Sequence, residues 1–333
     1  MQKIPVTVVT GFLGSGKTTL IRHLLVNSGR KMALIVNEFG DLGVDRDLLL
    51  GGLKSACCAD DVIELANGCL CCTVADEFLP AMEKLLDRPQ PPDHILIETS
   101  GLALPKPLVK AFQWPAVRAR VTVDGVVAMI DTPAVAAGRF ADGPGPDSPP
   151  DHDAPLEELF DDQLAAADLV ILNKRDLMDA KAYQATGALV RARLRPGVKA
   201  VETANSWLHP DLVLGLAAKA EDAIDGRPSR HDGEEGHDHD DFESFVVDLP
   251  PVEDPDRLRQ RLMAAVASHD ILRVKGFLEV PGKPMRHLMQ AVGQRIEHYY
   301  DRFWLEGEPR ASRLVVIGLK GLDRVAIEAA IRD

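Results

Sequence analysis

The chain has 333 residues, 46% of them hydrophobic and 27% charged, the make-up of a folded protein long enough for two domains with cores of their own. Its 51 Asp and Glu against 38 Lys and Arg leave a net charge of −13. An acidic chain gains nothing by releasing counterions from a phosphate backbone, which excludes nucleic acid as the expected partner. No apolar run approaches the ~20 residues that span a bilayer. Met1-Gln2-Lys3-Ile4-Pro5 leads straight into an apolar strand, so neither a secretory leader nor membrane association is expected, and a cytoplasmic location is.

In chain order, Val6–Thr10 reads as a first strand and Lys17–Asn27 as a helix. Between them lies Gly11-Phe12-Leu13-Gly14-Ser15-Gly16-Lys17-Thr18. Strand, glycine loop and helix in that order are what a phosphate cradle requires. Glycines let the backbone wrap closely round a polyphosphate, and the helix N-terminus faces the anion. Gly11, Gly14, Ser15, Gly16, Lys17, Thr18 and Thr19 form the expected nucleotide-contact set. Lys17 is suited to the β- and γ-phosphates and the Thr18 hydroxyl to Mg²⁺.

Ala33–Val36 reads as a second strand, followed by a loop with Glu38 and Asp45. Glu38 can complete a Mg²⁺ or transition-metal sphere there; solvated loop carboxylates are the competing reading. Val62–Leu65 is a short strand ahead of Asn67-Gly68-Cys69-Leu70-Cys71-Cys72, and a helix is expected over about 75–86. Ile95–Ile97 is a strand ending at Glu98-Thr99-Ser100-Gly101. Glu98 then brings a carboxylate to the phosphate edge, to hold Mg²⁺ or to position water. Gly101 can offer its N–H to a γ-phosphate, while Thr99 or Ser100 can simply cap a following helix. Strands are expected at 121–130 and 168–172, the latter running into Asn173-Lys174-Arg175-Asp176. An aspartate there accepts from the N1–H and exocyclic amine of guanine, which adenine does not offer. Lys174 packs along the base and Asn173 braces the loops. A helix over 180–194 and a short strand at 198–201 follow. Strands alternating with helices predict an α/β fold, a mainly parallel sheet covered on both faces, with ligands at the carboxyl ends of its strands.

Two stretches interrupt the pattern. Residues 138–154 are rich in Gly, Pro and Asp and read as a mobile insertion. Residues 226–241 read as a linker, with His231, His237 and His239 among carboxylates. They are either weak auxiliary metal ligands or incidental residues of a hydrated acidic tract. The expected domains are therefore 1–225 and a smaller α+β domain, 242–333. In the latter, strands are read at 242–249, 271–280 and 314–317 and helices at 255–267 and 322–332. Residues 285–297 stay ambiguous, and His287 and His298 show no ligand spacing.

All five cysteines fall between positions 57 and 72. Cys69 and Cys71 share a side of an extended segment, and Cys72 joins them if the chain turns. Three thiolates suit Zn²⁺ or Co²⁺ with one position open. Buried packing and a redox pair are the competing readings. Cys57 and Cys58 are either auxiliary ligands or incidental, and the incidental reading is preferred.

Taken together, Gly11–Thr18, Asn67–Cys72, Glu98–Gly101 and Asn173–Asp176 resemble the CobW-type family of P-loop GTPases, metallochaperone relatives of the nickel-insertion GTPases. Arg273-Val274-Lys275-Gly276-Phe277-Leu278 is similar to the family's C-terminal domain, so the resemblance covers nearly the whole chain. It implies a GTPase with Thr18 and Glu98 as Mg²⁺ and nucleotide partners and Asp176 as the guanine reader. Lys17, Glu98 and Gly101 are the expected catalytic residues, and turnover is expected to be slow because no arginine finger is evident. The resemblance also implies a segment at Cys72 and Thr73 lying against the nucleotide. The stretches 37–45, 98–105 and 123–127 resemble the branch serving cobalamin synthesis, which implies Co²⁺ carried by Cys69, Cys71 and Cys72 to a cobalt chelatase. Sister branches handle Zn²⁺ for other client metalloenzymes. Whether the chain forms a homodimer is left open.

Overall fold

The computed structural model describes residues 3–37, 62–65, 78–138, 155–229, 242–292, 295–305, 308–319 and 321–332. The chain separates into two compact units, each built round its own sheet.

The first sheet has seven strands: β1 (Ile4–Thr10), β2 (Met32–Asn37), β3 (Val62–Leu65), β4 (His94–Glu98), β5 (Val121–Asp131), β6 (Leu169–Asn173) and β7 (Lys199–Glu202). They lie in the order β3-β2-β4-β1-β5-β6-β7, all parallel. Apart from Pro5, every residue of β1 is apolar or β-branched, with no alternation, as expected of a strand covered on both faces. The helices between strands supply that cover. α1 (Lys17–Asn27) turns Leu20, Ile21, Leu24 and Leu25 inward. α2 (Leu79–Leu86) contributes Met82 and Leu85, and α3 (Pro105–Ala111) contributes Leu108 and Val109, all in one core with Val8, Ile35, Ile95 and Val126. Short helices α4 (Pro115–Arg118) and α5 (Thr132–Ala136), then α6 (Pro155–Ala166), α7 (Ala180–Ala192) and α8 (Ala220–Ala223), complete the unit. The strands match the sequence reading to within two residues. The short α3, α4, α5 and α8 and the longer α6 are additions to it. All but α8 carry a proline in their first two positions, where the ring costs no hydrogen bond.

The packed chain also runs past 226, where the sequence reading starts the linker. Arg227 is buried, its guanidinium paired with Asp168 at 2.6 Å and its carbonyl accepting from Lys106 Nζ at 2.7 Å. Ser229 Oγ donates to Asp162 at 2.9 Å. The expected insertion lies outside the described residues from 139 to 154, and the three linker histidines lie outside them too.

The second unit carries an antiparallel sheet of β8 (Phe242–Leu249), β9 (Ile271–Leu278), β10 (Met285–Val292), β11 (Arg295–Phe303) and β12 (Ser312–Leu319), ordered β11-β10-β9-β12-β8. Helices α9 (Pro255–Ser268) and α10 (Arg324–Arg332) pack Leu258, Leu262, Ile327 and Ile331 against Val247, Val274, Met289, Leu314 and Val316. α9 opens on Asp254, whose carboxylate accepts from the N–H groups of Asp256 and Arg257, with Pro255 at its first position. The ambiguous stretch at 285–297 resolves into a hairpin of β10 and β11. Its pattern misleads because β10 buries adjacent residues, Leu288 and Met289, so the alternation of a half-exposed strand never forms. In the Arg273–Leu278 motif, a Cβ on Gly276 would collide with the carbonyl oxygen of Arg313, which explains the glycine where β9 meets β12.

Candidate nucleotide-binding site

The glycine loop follows β1 at the carboxyl edge of the parallel sheet. Gly11, Gly14 and Gly16 take φ of 131°, 70° and 107°, conformations that L side chains rarely adopt. A Cβ on Gly11 would collide with the Met129 carbonyl oxygen, so the loop lies directly on the end of β5. α1 starts behind Gly16 without a side-chain cap and without an acidic residue in its first turn. Its leading N–H groups and dipole therefore favour an anion. Lys17 is buried and donates to the carbonyls of Gly11 at 2.7 Å and Phe12 at 3.2 Å. Ser15 Oγ is fully buried with no hydrogen-bond partner among the described residues. Left-handed glycines, an uncapped helix start, a folded-back lysine and an orphaned hydroxyl together fit a polyphosphate.

Glu98 closes β4, the direct neighbour of β1, with Val9 and Glu98 in register. Its carboxylate is buried and accepts from Thr18 Oγ1 at 2.8 Å. That pair, one hydroxyl and one carboxylate at the phosphate edge, is a donor set suited to Mg²⁺. Thr19 is exposed on the first turn of α1. The cap reading of Thr99 and Ser100 does not hold for α3. Thr99 Oγ1 donates to Thr10 Oγ1 at 3.1 Å, Ser100 Oγ accepts from Leu102 N at 3.3 Å, and α3 has no side-chain cap. Gly101 sits against the glycine loop: a Cβ there would stand 2.7 Å from Leu13 N.

The expected base side is built by the ends of β6 and β7. Asn173 is buried and donates through Nδ2 to the Ser15 carbonyl and to Ser206 Oγ, both at 2.8 Å. Lys174, at φ 64°, sends Nζ to the Gly14 carbonyl at 2.5 Å and to Asp131 Oδ2 at 2.8 Å. Asp176 is exposed in the 3-10 turn that follows. Ser206 Oγ reaches the Gly16 carbonyl at 3.2 Å, and its N–H donates to Asn173 Oδ1 at 3.0 Å. Three consecutive loop carbonyls thus accept from three side chains of the base side.

Sequence reasoning does not pick out Ser206 or Asp131. A signal for Ser206 exists, since Thr203-Ala204-Asn205-Ser206 is a run of small polar residues following a recognised strand. Asp131 gives none, being one aspartate ahead of a Thr-Pro. Cys69, Cys71, Cys72, Thr73, Glu38, Cys57 and Cys58 lie outside the described residues, and among the described residues no group of three or more His, Cys, Asp or Glu stands ready to hold a metal ion.

Two family models match the chain. "CobW/HypB/UreG, nucleotide-binding domain" covers residues 5–202 and "Cobalamin synthesis protein cobW C-terminal domain" covers 242–333. The chain belongs to the CobW-type family of P-loop GTPases. One CobW-type relative, the zinc chaperone CobW of Sinorhizobium sp, is 55% identical over 99% of this chain and 96% of its own. Another, the zinc chaperone CobW of Pseudomonas aeruginosa, is 54% identical over 100% and 92%. The zinc chaperone YjiA of Escherichia coli is 32% identical over 96% and 95%. The expected P-loop GTPase fold with a second, C-terminal sheet domain is thereby established for this CobW-type chain. No helix among the described residues is long and apolar enough to cross a membrane.

Proposed function

We propose that this protein hydrolyses GTP to gate the uptake and release of a divalent transition metal. The observation that carries the reading is the row of carbonyls at Gly14, Ser15 and Gly16, each held by a base-side side chain. A purine in the base pocket and a phosphate in the loop are then read by one rigid assembly.

In this reading Asp176 recognises guanine, and Lys17 exchanges the carbonyls of Gly11 and Phe12 for the β- and γ-phosphates. Thr18 and Glu98, already paired at 2.8 Å, would hold Mg²⁺, which neutralises charge on the phosphates when bound. Gly101, packed on Leu13, offers its N–H to the terminal phosphate, and Glu38 joins the metal sphere. Contact with that phosphate through Glu38 and Gly101 brings Cys69, Cys71 and Cys72 into ligand geometry, with Thr73 beside the nucleotide, and hydrolysis releases the metal. By linkage, cargo and GTP tighten each other by the same factor.

The family resemblance implies Co²⁺ for a chelatase, whereas the relatives spanning the chain are named zinc chaperones. A Cys-x-Cys-Cys site with an open position accepts either ion. We take Zn²⁺ as the cargo on the strength of those names, with Co²⁺ as competitor. The unit at 242–333 serves as the docking surface for the client metalloenzyme, and the linker histidines assist capture.

The test is a Zn²⁺ titration of the full chain with and without Mg²⁺-GTP, in competition with Co²⁺, beside a measurement of GTP turnover. Slow turnover and a tightening of Zn²⁺ binding by GTP are expected, both lost in Lys17→Ala. Metal affinity indifferent to GTP would refute the gate. Absence of turnover would reduce the protein to a metal holder with a structural nucleotide. Preference for Co²⁺ over Zn²⁺ would return the cargo to cobalt.

A further inference from the structure

Asp131 ends β5 directly beside Asn173, its register partner at the end of β6. Its side chain is fully buried, and both oxygens are engaged. Oδ1 accepts from Ala134 N at 3.2 Å and starts α5, while Oδ2 faces Lys174 Nζ at 2.8 Å. The ammonium it holds is the one that reaches the Gly14 carbonyl, and it belongs to the residue whose left-handed backbone opens the turn bearing Asp176. A flexible four-carbon stem carries a point charge with no fixed direction of its own. At this position the direction comes from a buried carboxylate on the neighbouring strand. A buried charge pair is a poor source of stability but a good source of register.

We propose that Asp131 is a positioning residue for guanine-nucleotide binding, acting through Lys174 to lock the base-reading turn onto the phosphate loop. The inference rests on the nucleotide reading above and adds to it a group outside the recognised motifs. Removing the carboxylate's charge frees the ammonium from Gly14, so the turn and the loop no longer move as one. The loss falls on binding. Lys17, Thr18 and Glu98, which face the phosphates, keep their contacts.

The test is a double-mutant cycle on the full chain, with fluorescent GDP as the affinity probe and GTP turnover measured in parallel. Asp131→Asn is expected to weaken GDP by roughly 10- to 100-fold, the range of a charge-assisted hydrogen bond. KM for GTP should rise with it, and kcat should stay within about twofold. Lys174→Ala is expected to lose a similar factor, and the double variant to bind no more weakly than Lys174→Ala alone. Wild-type affinity in Asp131→Asn, or a double variant whose loss is the product of the two single losses, overturns the proposal. If Asp131→Asn fails to fold, Asp131→Asn combined with Lys174→Gln removes both charges and is compared with Lys174→Gln. Equal affinities support the route through Lys174, and a weaker double variant overturns it. A wild-type chain that binds no nucleotide sinks the functional reading and this inference together. Wild-type binding with an unaffected Asp131→Asn sinks the inference alone.

Discussion

The two sheets bury polar side chains in opposite ways. In the parallel sheet one group of them gathers at the carboxyl ends of the strands, where Lys17, Asn173, Lys174 and Ser206 all donate to backbone carbonyls of one glycine loop. In the antiparallel sheet Arg286 is fully buried, with its guanidinium carbon 3.5 Å from the Phe277 ring centroid. It is held by Asp301 at 2.8 Å and Glu308 at 3.0 Å, the latter shared with Arg302. A neutral carbonyl gives up a lysine at modest cost, because water or a ligand oxygen substitutes readily on either side. A guanidinium enclosed by carboxylates and a ring has no such alternative. Lys17, on the carbonyls of Gly11 and Phe12, is therefore poised to exchange partners, whereas Arg286 is closed in.

The sharpest way to break that contrast is to remove one cation from each side. Arg286→Ala strands Asp301 and Glu308 in a buried setting and is expected to cost about 3–5 kcal/mol, read as a shift in the urea unfolding midpoint. Arg286→Met, which keeps the packing volume over Phe277, should lose less. Lys17→Ala should leave unfolding within about 1 kcal/mol of the parent, because the freed carbonyls of Gly11 and Phe12 can turn to water, yet abolish GTP turnover. An Arg286→Ala chain as stable as the parent would show that the closed network is ornament.

The same contrast governs what is legible in the sequence. Strand-end motifs announce themselves, because a glycine loop or an Asn-Lys-x-Asp turn requires particular residue types at fixed spacing. Gly11–Thr18, Glu98 and Asn173–Asp176 are recognisable from residue type and spacing alone, and they fall at the ends of β1, β4 and β6. Asp131 and Ser206 reach the glycine loop through contacts with residues distant in the chain, which no local spacing announces. The antiparallel sheet is harder throughout. β10 buries Arg286, His287, Leu288 and Met289 consecutively. A run of two charged or polar residues and two apolar ones carries neither a helical nor an alternating period. Its partner, β11, supplies the carboxylate and the second histidine only once the hairpin has closed.

Each sheet also buries a histidine kept neutral, and acid should act on both. His94, sharing a hydrogen bond with Thr7 at 2.8 Å, is pushed down to about 4 by burial, opposed by Asp124 and aided by Arg30. His287, 2.9 Å from His298 Nδ1, is likewise pushed down to about 4, first by burial and then by His298. Both ionise near 6.5 when unfolded. The unfolded chain therefore takes up protons first, and stability present above pH 6.5 is lost as pH falls toward 4. The full loss is on the order of 3 kcal/mol for His94. It is smaller for His287, whose neighbour His298 reaches solvent and lets water screen the charge. Urea midpoints at pH 7 and pH 5 measure both. His94→Gln should flatten the slope of the first unit and His287→Gln that of the second. An unchanged slope in either variant would show that its histidine does not govern the acid sensitivity.

A smaller effect, about 1–3 kcal/mol, is expected from crowding one close-contact glycine in each unit. Gly101→Ala drives a Cβ to 2.7 Å from Leu13 N, and Gly276→Ala drives one into the Arg313 carbonyl oxygen. Thermal unfolding should fall in both. Only Gly101→Ala should also weaken GTP relative to GDP, because the displaced loop is the one proposed to meet the terminal phosphate. Equal effects of the two variants on that ratio would remove Gly101 from the switch.

The finest test pairs two buried serines that each contribute a hydroxyl. Ser206 Oγ bridges Asn173 to the Gly16 carbonyl, whereas Ser312 Oγ accepts from Glu279 N at 2.9 Å in the antiparallel sheet. Replacing either by alanine removes hydrogen bonds of ordinary strength, about 1 kcal/mol. For Ser312→Ala that loss should appear wholly in unfolding, with GDP affinity unchanged, since its partner is a strand-end amide with no ligand to meet. For Ser206→Ala it should appear in binding, as a roughly fivefold loss of GDP affinity, because the hydroxyl joins the base side to the phosphate loop. If Ser206→Ala alters stability alone, the Gly16 link is scaffolding, and communication between base and phosphate runs through Asn173 and Lys174 without it.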